Sequence, residues 1–125
     1  MKVEIINIDV YQTSVCICVG LDIKGLDELK EENPNKFDDE IYKQMKDDIS
    51  DVNSCDGFAS TMKDGSYLMY IREGHENDYR VVIHELFHIT NKILFDRGVY
   101  YEESAEAWAY LIGYLAESYF NIINK

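Results

Sequence analysis

The sequence predicts an α+β domain with the element order ββααββαα, a small antiparallel or mixed sheet carrying helices. Three observations predict it. Short runs rich in β-branched and apolar residues, bounded by Gly, Asn and Asp, occur as two pairs separated by a helical stretch. The last third of the chain switches to strong 3.6-residue periodicity. No internal repeat or low-complexity linker interrupts the 125 residues, a length that suits one domain spanning 1–125.

Taken in order, Val3 to Tyr11 reads as a strand, with Val3 and Ile5 on one face and Ile6, Ile8 and Val10 on the other. Gln12 to Ser14 make a polar turn, and Val15 to Val19 form the second strand. Cys16 and Cys18 alternate along it and are expected to be buried together on one face. Leu26 to Glu32 reads as a short acidic helix, ended by Asn33 and Pro34. Phe37 to Val52 repeats apolar groups at Phe37, Ile41, Met45 and Ile49. That stripe is narrow, so the helix is expected on the surface, its acidic run Asp38 to Asp51 being a solvated face. Gly57 to Met62 and Ser66 to Arg72 flank Lys63-Asp64-Gly65 as a hairpin.

The polar loop from Glu73 to Asp78 offers Asn77 or Asp78 as the cap of a helix from Tyr79 to Phe95, closed by Arg97 and Gly98. A last helix runs from about Glu103 to Ile123 and packs back on it. Its stripe is Ala105, Trp108, Ala109, Ile112, Leu115, Ala116, Tyr119 and Ile122. Trp108 falls on this stripe and reads as core, and Gly113 as a close-packing point between helices.

Composition bounds the function. The hydrophobic fraction of 46% supports a packed core. A net charge of −12 works against nucleic acid as a ligand, because the field repels phosphates, while it favours solubility, cations or a basic protein partner. An acidic mimic of nucleic acid is a remoter reading of the same charge. Three cysteines without a C-x-x-C pair argue against a disulfide framework or a cysteine zinc site and fit a reducing cytoplasm. The start, MKVEIINIDV, lacks the unbroken apolar run of a secretion signal. No stretch has eighteen unbroken apolar residues, so no membrane span is expected.

The chemistry lies in VVIHELFHIT, residues 81–90. On a helix, His84 and His88 stand one turn apart on one face, close enough for both imidazoles to reach one ion. Glu85 sits about 100° around the axis, where it reaches a water on that ion rather than the ion itself. H-E-x-x-H therefore encodes two zinc ligands and a general base. Large apolar neighbours surround these groups, and a charged cluster in such a stripe is costly without a metal partner. A third protein ligand is required. His75 lies in the preceding polar loop and is a weaker choice than the carboxylates of YYEESAEAWAY: Glu102, Glu103 and Glu106.

HELFH followed by EAWAYLIGYLAESY resembles the gluzincin clan of zinc peptidases, to which thermolysin belongs. In that family the third ligand is a glutamate opening the pattern E-A-x-x-D-x-x-G-x-L-x-E. Glu106-Ala107, Gly113, Leu115 and Glu117 fall in matching places. The resemblance implies a minimal zincin-like domain in which His84, His88 and Glu106 bind Zn²⁺ and Glu85 is the catalytic base. Glu103 and Glu102 follow as second and third choices for the ligand. It spans roughly residues 57–120, including a hairpin whose edge strand lies above the metal, and the H-E-x-x-H element is its most specific part. Small H-E-x-x-H proteins of phages and prophages are a looser likeness.

Two departures matter. Tyr110 stands where the family has an aspartate that supports the ligands, and a phenol cannot supply its negative charge. The family's downstream transition-state histidine has no counterpart before Lys125, which turns attention to Tyr100 or Tyr101 as oxyanion donors, although packing is the simpler role for either. The expected activity is zinc-dependent hydrolysis of peptide bonds in a peptide or protein substrate. The alternative is a zinc-binding protein of weak or no turnover that docks a basic partner through its acidic surface, since one small domain supplies only one wall of a substrate cleft.

Overall fold

The computed structural model describes residues 2–51, 53, 55–100, 102 and 104–125. Strands β1 (Lys2–Ile8), β2 (Thr13–Val19), β3 (Gly57–Thr61) and β4 (Tyr67–Ile71) form one mixed sheet in the order β1-β2-β4-β3. The two hairpins are antiparallel within themselves and meet along a parallel β2–β4 seam. Helices α1 (Ile23–Glu32) and α2 (Asp39–Ser50) cross from β2 to β3, and α3 (Tyr79–Asp96) and α4 (Ala105–Ile123) follow β4. This is the anticipated α+β order.

Alternation along the strands assigns the layers. Ile6, Ile8, Val15, Ile17, Val19, Tyr67, Met69 and Ile71 face α3 and α4, against Val82, Leu86, Ile89, Ile93, Leu111, Leu115, Tyr119 and Ile122. Cys18, Phe58, Leu68 and Tyr70 face the other way, onto Leu26, Phe37, Ile41 and Met45. Strand β4 is buried throughout because helices cover both its faces, which explains the unbroken apolar run YLMYI.

Local chemistry sets the ends. Asp22 and Asp38 cap α1 and α2, their carboxylates accepting from the Gly25 and Ile41 amides at 2.7 and 2.8 Å. Gly65 turns the β3–β4 hairpin at φ +86°, a left-handed conformation that only glycine adopts cheaply. The Arg72 guanidinium donates to the carbonyls of Asp48, Asp51 and Cys55, tying the end of α2 to the entry of β3. The α3 end is clamped by Arg97, which donates to the Tyr67 hydroxyl at 2.8 Å and to the Tyr11 carbonyl at 3.1 Å.

Several expectations require correction. The first strand ends at Ile8, and Asp9–Tyr11 form a 3-10 turn that leaves Val10 exposed. Helix α2 begins at Asp39 rather than Phe37. It lies on the surface as its narrow stripe predicts, with only Ile41 and Met45 buried, and together with Phe37 just ahead of it these close the second core. Cys18 is buried, but Cys16 is only half-buried because the face of β2 near it opens between α1 and β1. On α4 Leu115, Tyr119 and Ile122 of the expected stripe are buried and Ile112 and Ala116 partly so. Near its start, however, Leu111 takes the buried position, Ala105 and Ala109 are exposed and Trp108 is half-buried against the core. Gly113 faces open space and is not a packing point. Asp78 precedes α3 as expected, but without a side-chain capping bond; its carboxylate lies 3.5 Å from His75 Nδ1 instead.

Candidate metal centre

Helix α3 lies over the β3–β4 side of the sheet with Val82, Leu86, Ile89 and Ile93 buried. That choice of face fixes the polar groups. His84 and His88 project to the outer side, with the His84 side chain 67% exposed, while Glu85 turns toward the sheet and is 6% exposed. The imidazoles therefore do not stand inside an apolar stripe, as the sequence suggested. The buried ionisable group is the glutamate.

The two Nε2 atoms are 3.1 Å apart. At this separation a neutral pair shares one proton in a hydrogen bond. Two Zn–N bonds of about 2.05 Å at a tetrahedral angle span about 3.3 Å, so the rings already converge much as two ligands of one ion do. Burial, followed by the nearby His84 and Lys92, pushes the His88 pKa below the usual histidine range. That favours the neutral, ligating form at pH 7.

Glu85 Oε1 lies 3.7 Å from His84 Nε2. Burial raises the Glu85 pKa, and the neighbouring His84 opposes that rise. The cause is visible in the packing: Glu85 runs beneath the first residue of edge strand β3, where Gly57 presents no side chain. The motif alone did not single out Gly57. A glycine opening a predicted strand is nevertheless the usual mark of close approach by another group.

Phe87, half exposed beside the histidines, stacks at a tilt on Trp108 with ring centroids 4.9 Å apart, and its edge meets His88 at 6.0 Å. This contact brings the first turns of α4 near the pair. Glu106 lies on the first turn of α4 and is exposed, as is Glu102 just ahead of it. Neither is gathered with the imidazoles: among the described residues no group of three His, Cys, Asp or Glu side chains is close enough to hold one ion. Glu103 and Tyr101 lie outside the described residues. Tyr100 packs edge-on against Phe95, at 5.7 Å.

His75 stands apart in the loop before α3, its Nε2 3.4 Å from Asp56 and its Nδ1 3.5 Å from Asp78. Tyr110 is 77% exposed and lines an apolar groove of about 560 Å³ between the 3-10 turn and α4. None of His84, Glu85 or His88 contributes to that groove. The donor chemistry and spacing of His84 and His88 fit two positions of a zinc site, and Glu85 fits a base held beside them.

Comparison with protein-family models, with curated proteins and with solved structures found no match.

Proposed function

We propose that this chain is a zinc-dependent peptide hydrolase of minimal zincin-like build. The observation carrying the reading is the convergence of two imidazole nitrogens, 3.1 Å apart, beside a glutamate turned inward from the same helix. His84 and His88 would hold Zn²⁺, with Glu106 as first choice for the third donor. Its support is the match to the E-A-x-x-x-x-x-G-x-L-x-E pattern and its place on the first turn of α4, the end of the helix that Trp108 anchors on Phe87 next to His88. Glu103 and Glu102 remain second and third choices.

Zinc bound there would supply a water acidified to a pKa of about 7 and an electrophile for the scissile carbonyl. Glu85 would take the proton from that water and return it to the leaving amine. A carboxyl group whose pKa is raised by burial suits both halves of the transfer, because it binds the proton more readily than an exposed glutamate. Phe87 and Trp108 would form the apolar wall beside the attacked bond.

The test combines metal and turnover. Elemental analysis of purified protein should find near-stoichiometric zinc, reduced in His84→Ala and His88→Ala. A set of Glu102→Ala, Glu103→Ala and Glu106→Ala variants should identify the third donor by the largest loss. Cleavage of a quenched peptide library should fall by about two orders of magnitude or more in Glu85→Gln while zinc content stays constant. Zinc binding without any cleavage by the wild type would sink the hydrolase and leave the reading of a zinc-bound module that docks a basic partner. Zinc content unaffected by either histidine substitution would end both.

A further inference from the structure

We infer that Gly57 is a positioning residue for Glu85: the missing side chain at the first residue of the edge strand is what lets this carboxylate lie beneath the sheet margin and beside the histidines. The inference rests on the proposed role of Glu85 as base. A methyl group built at Gly57 would lie 2.7 Å from Glu85 Cγ, 3.2 Å from its Cδ and 3.2 Å from Val81 Cγ1. The first distance is well inside van der Waals contact, and all three atoms belong to α3 side chains in or beside the motif.

Glycine is not required here by the backbone. Gly57 has ordinary strand geometry, is absent from the positive-φ glycines, and pairs in register with Ile71. Two residues on, Ala59 points to the same α3 face and its methyl group packs there without difficulty. The restriction at residue 57 therefore comes from the glutamate and its Val81 neighbour and not from the strand. With any larger residue, either the strand lifts from α3 or Glu85 swings toward solvent, away from its 3.7 Å contact with His84 Nε2. The Arg72 bonds to the carbonyls of Asp48, Asp51 and Cys55 pin the approach to β3, so lifting the strand is resisted.

A double-mutant cycle tests this without reference to activity. Gly57→Ala should lower the melting temperature in the wild-type background, or else expose Glu85. In the Glu85→Ala background the same substitution should cost much less or nothing, because the 2.7 Å obstruction by Glu85 Cγ and the contact with its Cδ are gone and only the 3.2 Å approach to Val81 Cγ1 remains. Exposure of Glu85 is read by carbodiimide labelling with peptide mass spectrometry, exposed Glu117 serving as the internal reference. If Gly57→Ala does not fold while Gly57→Ala/Glu85→Ala does, the inference holds; if neither folds, the obstruction lies elsewhere and the inference fails. An equal melting loss in both backgrounds would overturn it, as would unchanged melting together with unchanged Glu85 labelling.

In zinc-loaded protein, Gly57→Ala should lower kcat on the order of tenfold to a hundredfold, with KM and zinc content little changed. Normal kcat in a folded Gly57→Ala variant would also overturn the positioning role. A wild type that cleaves no peptide would remove the hydrolytic reading, while the melting cycle and the labelling would still decide what Gly57 does to Glu85.

Discussion

Glu85 carries an energetic consequence that can be measured before any substrate is known. Burial raises its pKa in the folded chain, whereas in the unfolded chain it ionises near the usual glutamate value of about 4.3. Over the window between those two values the unfolded state binds fewer protons, so stability falls as pH rises through it. The contribution of the protonated form is fully present below the unfolded value and is lost above the folded one. Glu85→Gln should therefore raise the melting temperature of metal-free protein at neutral pH, the difference vanishing in acid and growing only above about 4.3; a constant difference between about pH 3 and pH 7 would contradict the assignment. A second residue-scale asymmetry lies in β2, where the thiols of Cys16 and Cys18 are 3.8 Å apart. Cys18 donating to the Cys16 thiolate draws the Cys16 pKa down, and the same bond together with burial pushes Cys18 well up. Iodoacetamide should alkylate Cys16 well before Cys18, as followed by mass spectrometry, because the thiolate is the reactive form and Cys18 is also enclosed.

Among the elements, the boundaries legible in the sequence are those written in local chemistry. Gly65 turns the hairpin and Gly98 at φ +71° follows α3, whereas Asp38, which the sequence placed inside a helix starting at Phe37, proves to be the cap of α2. Asp38→Ala should cost about 1 kcal/mol, the usual loss for a capping carboxylate whose bond to the Ile41 amide disappears, and urea unfolding would register it. Less legible were properties that depend on which element lies opposite. The four-residue stripe of α2 tells that the helix lies on the surface but not what it covers, which is the sheet face carrying Cys18, Phe58, Leu68 and Tyr70. The buried face of α4 is turned by contact with β1 as well as α3, which buries Leu111 and leaves Ala109 out. The parallel β2–β4 seam joins strands far apart in the chain, and nothing in either hairpin announces it. At the candidate centre, spacing along one helix gave His84, Glu85 and His88, but not that the histidines face outward and the glutamate inward. That division follows from which side of α3 rests on the sheet, and Gly57 becomes meaningful only once β3 lies against it.

For the molecule as a whole, the proposed centre lies where three independent parts of the chain meet: α3, the edge strand β3 and the start of α4. A ligand that engages such a meeting point stabilises the folded state by mass action, because the unfolded chain offers no converged pair of imidazoles. Zinc at a hundred times its dissociation constant contributes about 2.7 kcal/mol, which for a domain of this size corresponds to a melting shift of roughly 10 °C. The net charge of −12 attracts any divalent cation to the surface, so a nonspecific stabilisation is expected in parallel. The two contributions separate by chemistry and by salt. Magnesium prefers oxygen donors and should produce only the nonspecific part, which screening by added sodium chloride diminishes. Zinc should retain most of its shift in high salt and lose it in His84→Ala or His88→Ala, because those substitutions remove donors while changing the overall charge little. Equal shifts from zinc and magnesium, both abolished by salt and untouched by either histidine substitution, would mean that the acidic surface alone binds the ion and that the convergence of the two rings has no part in it.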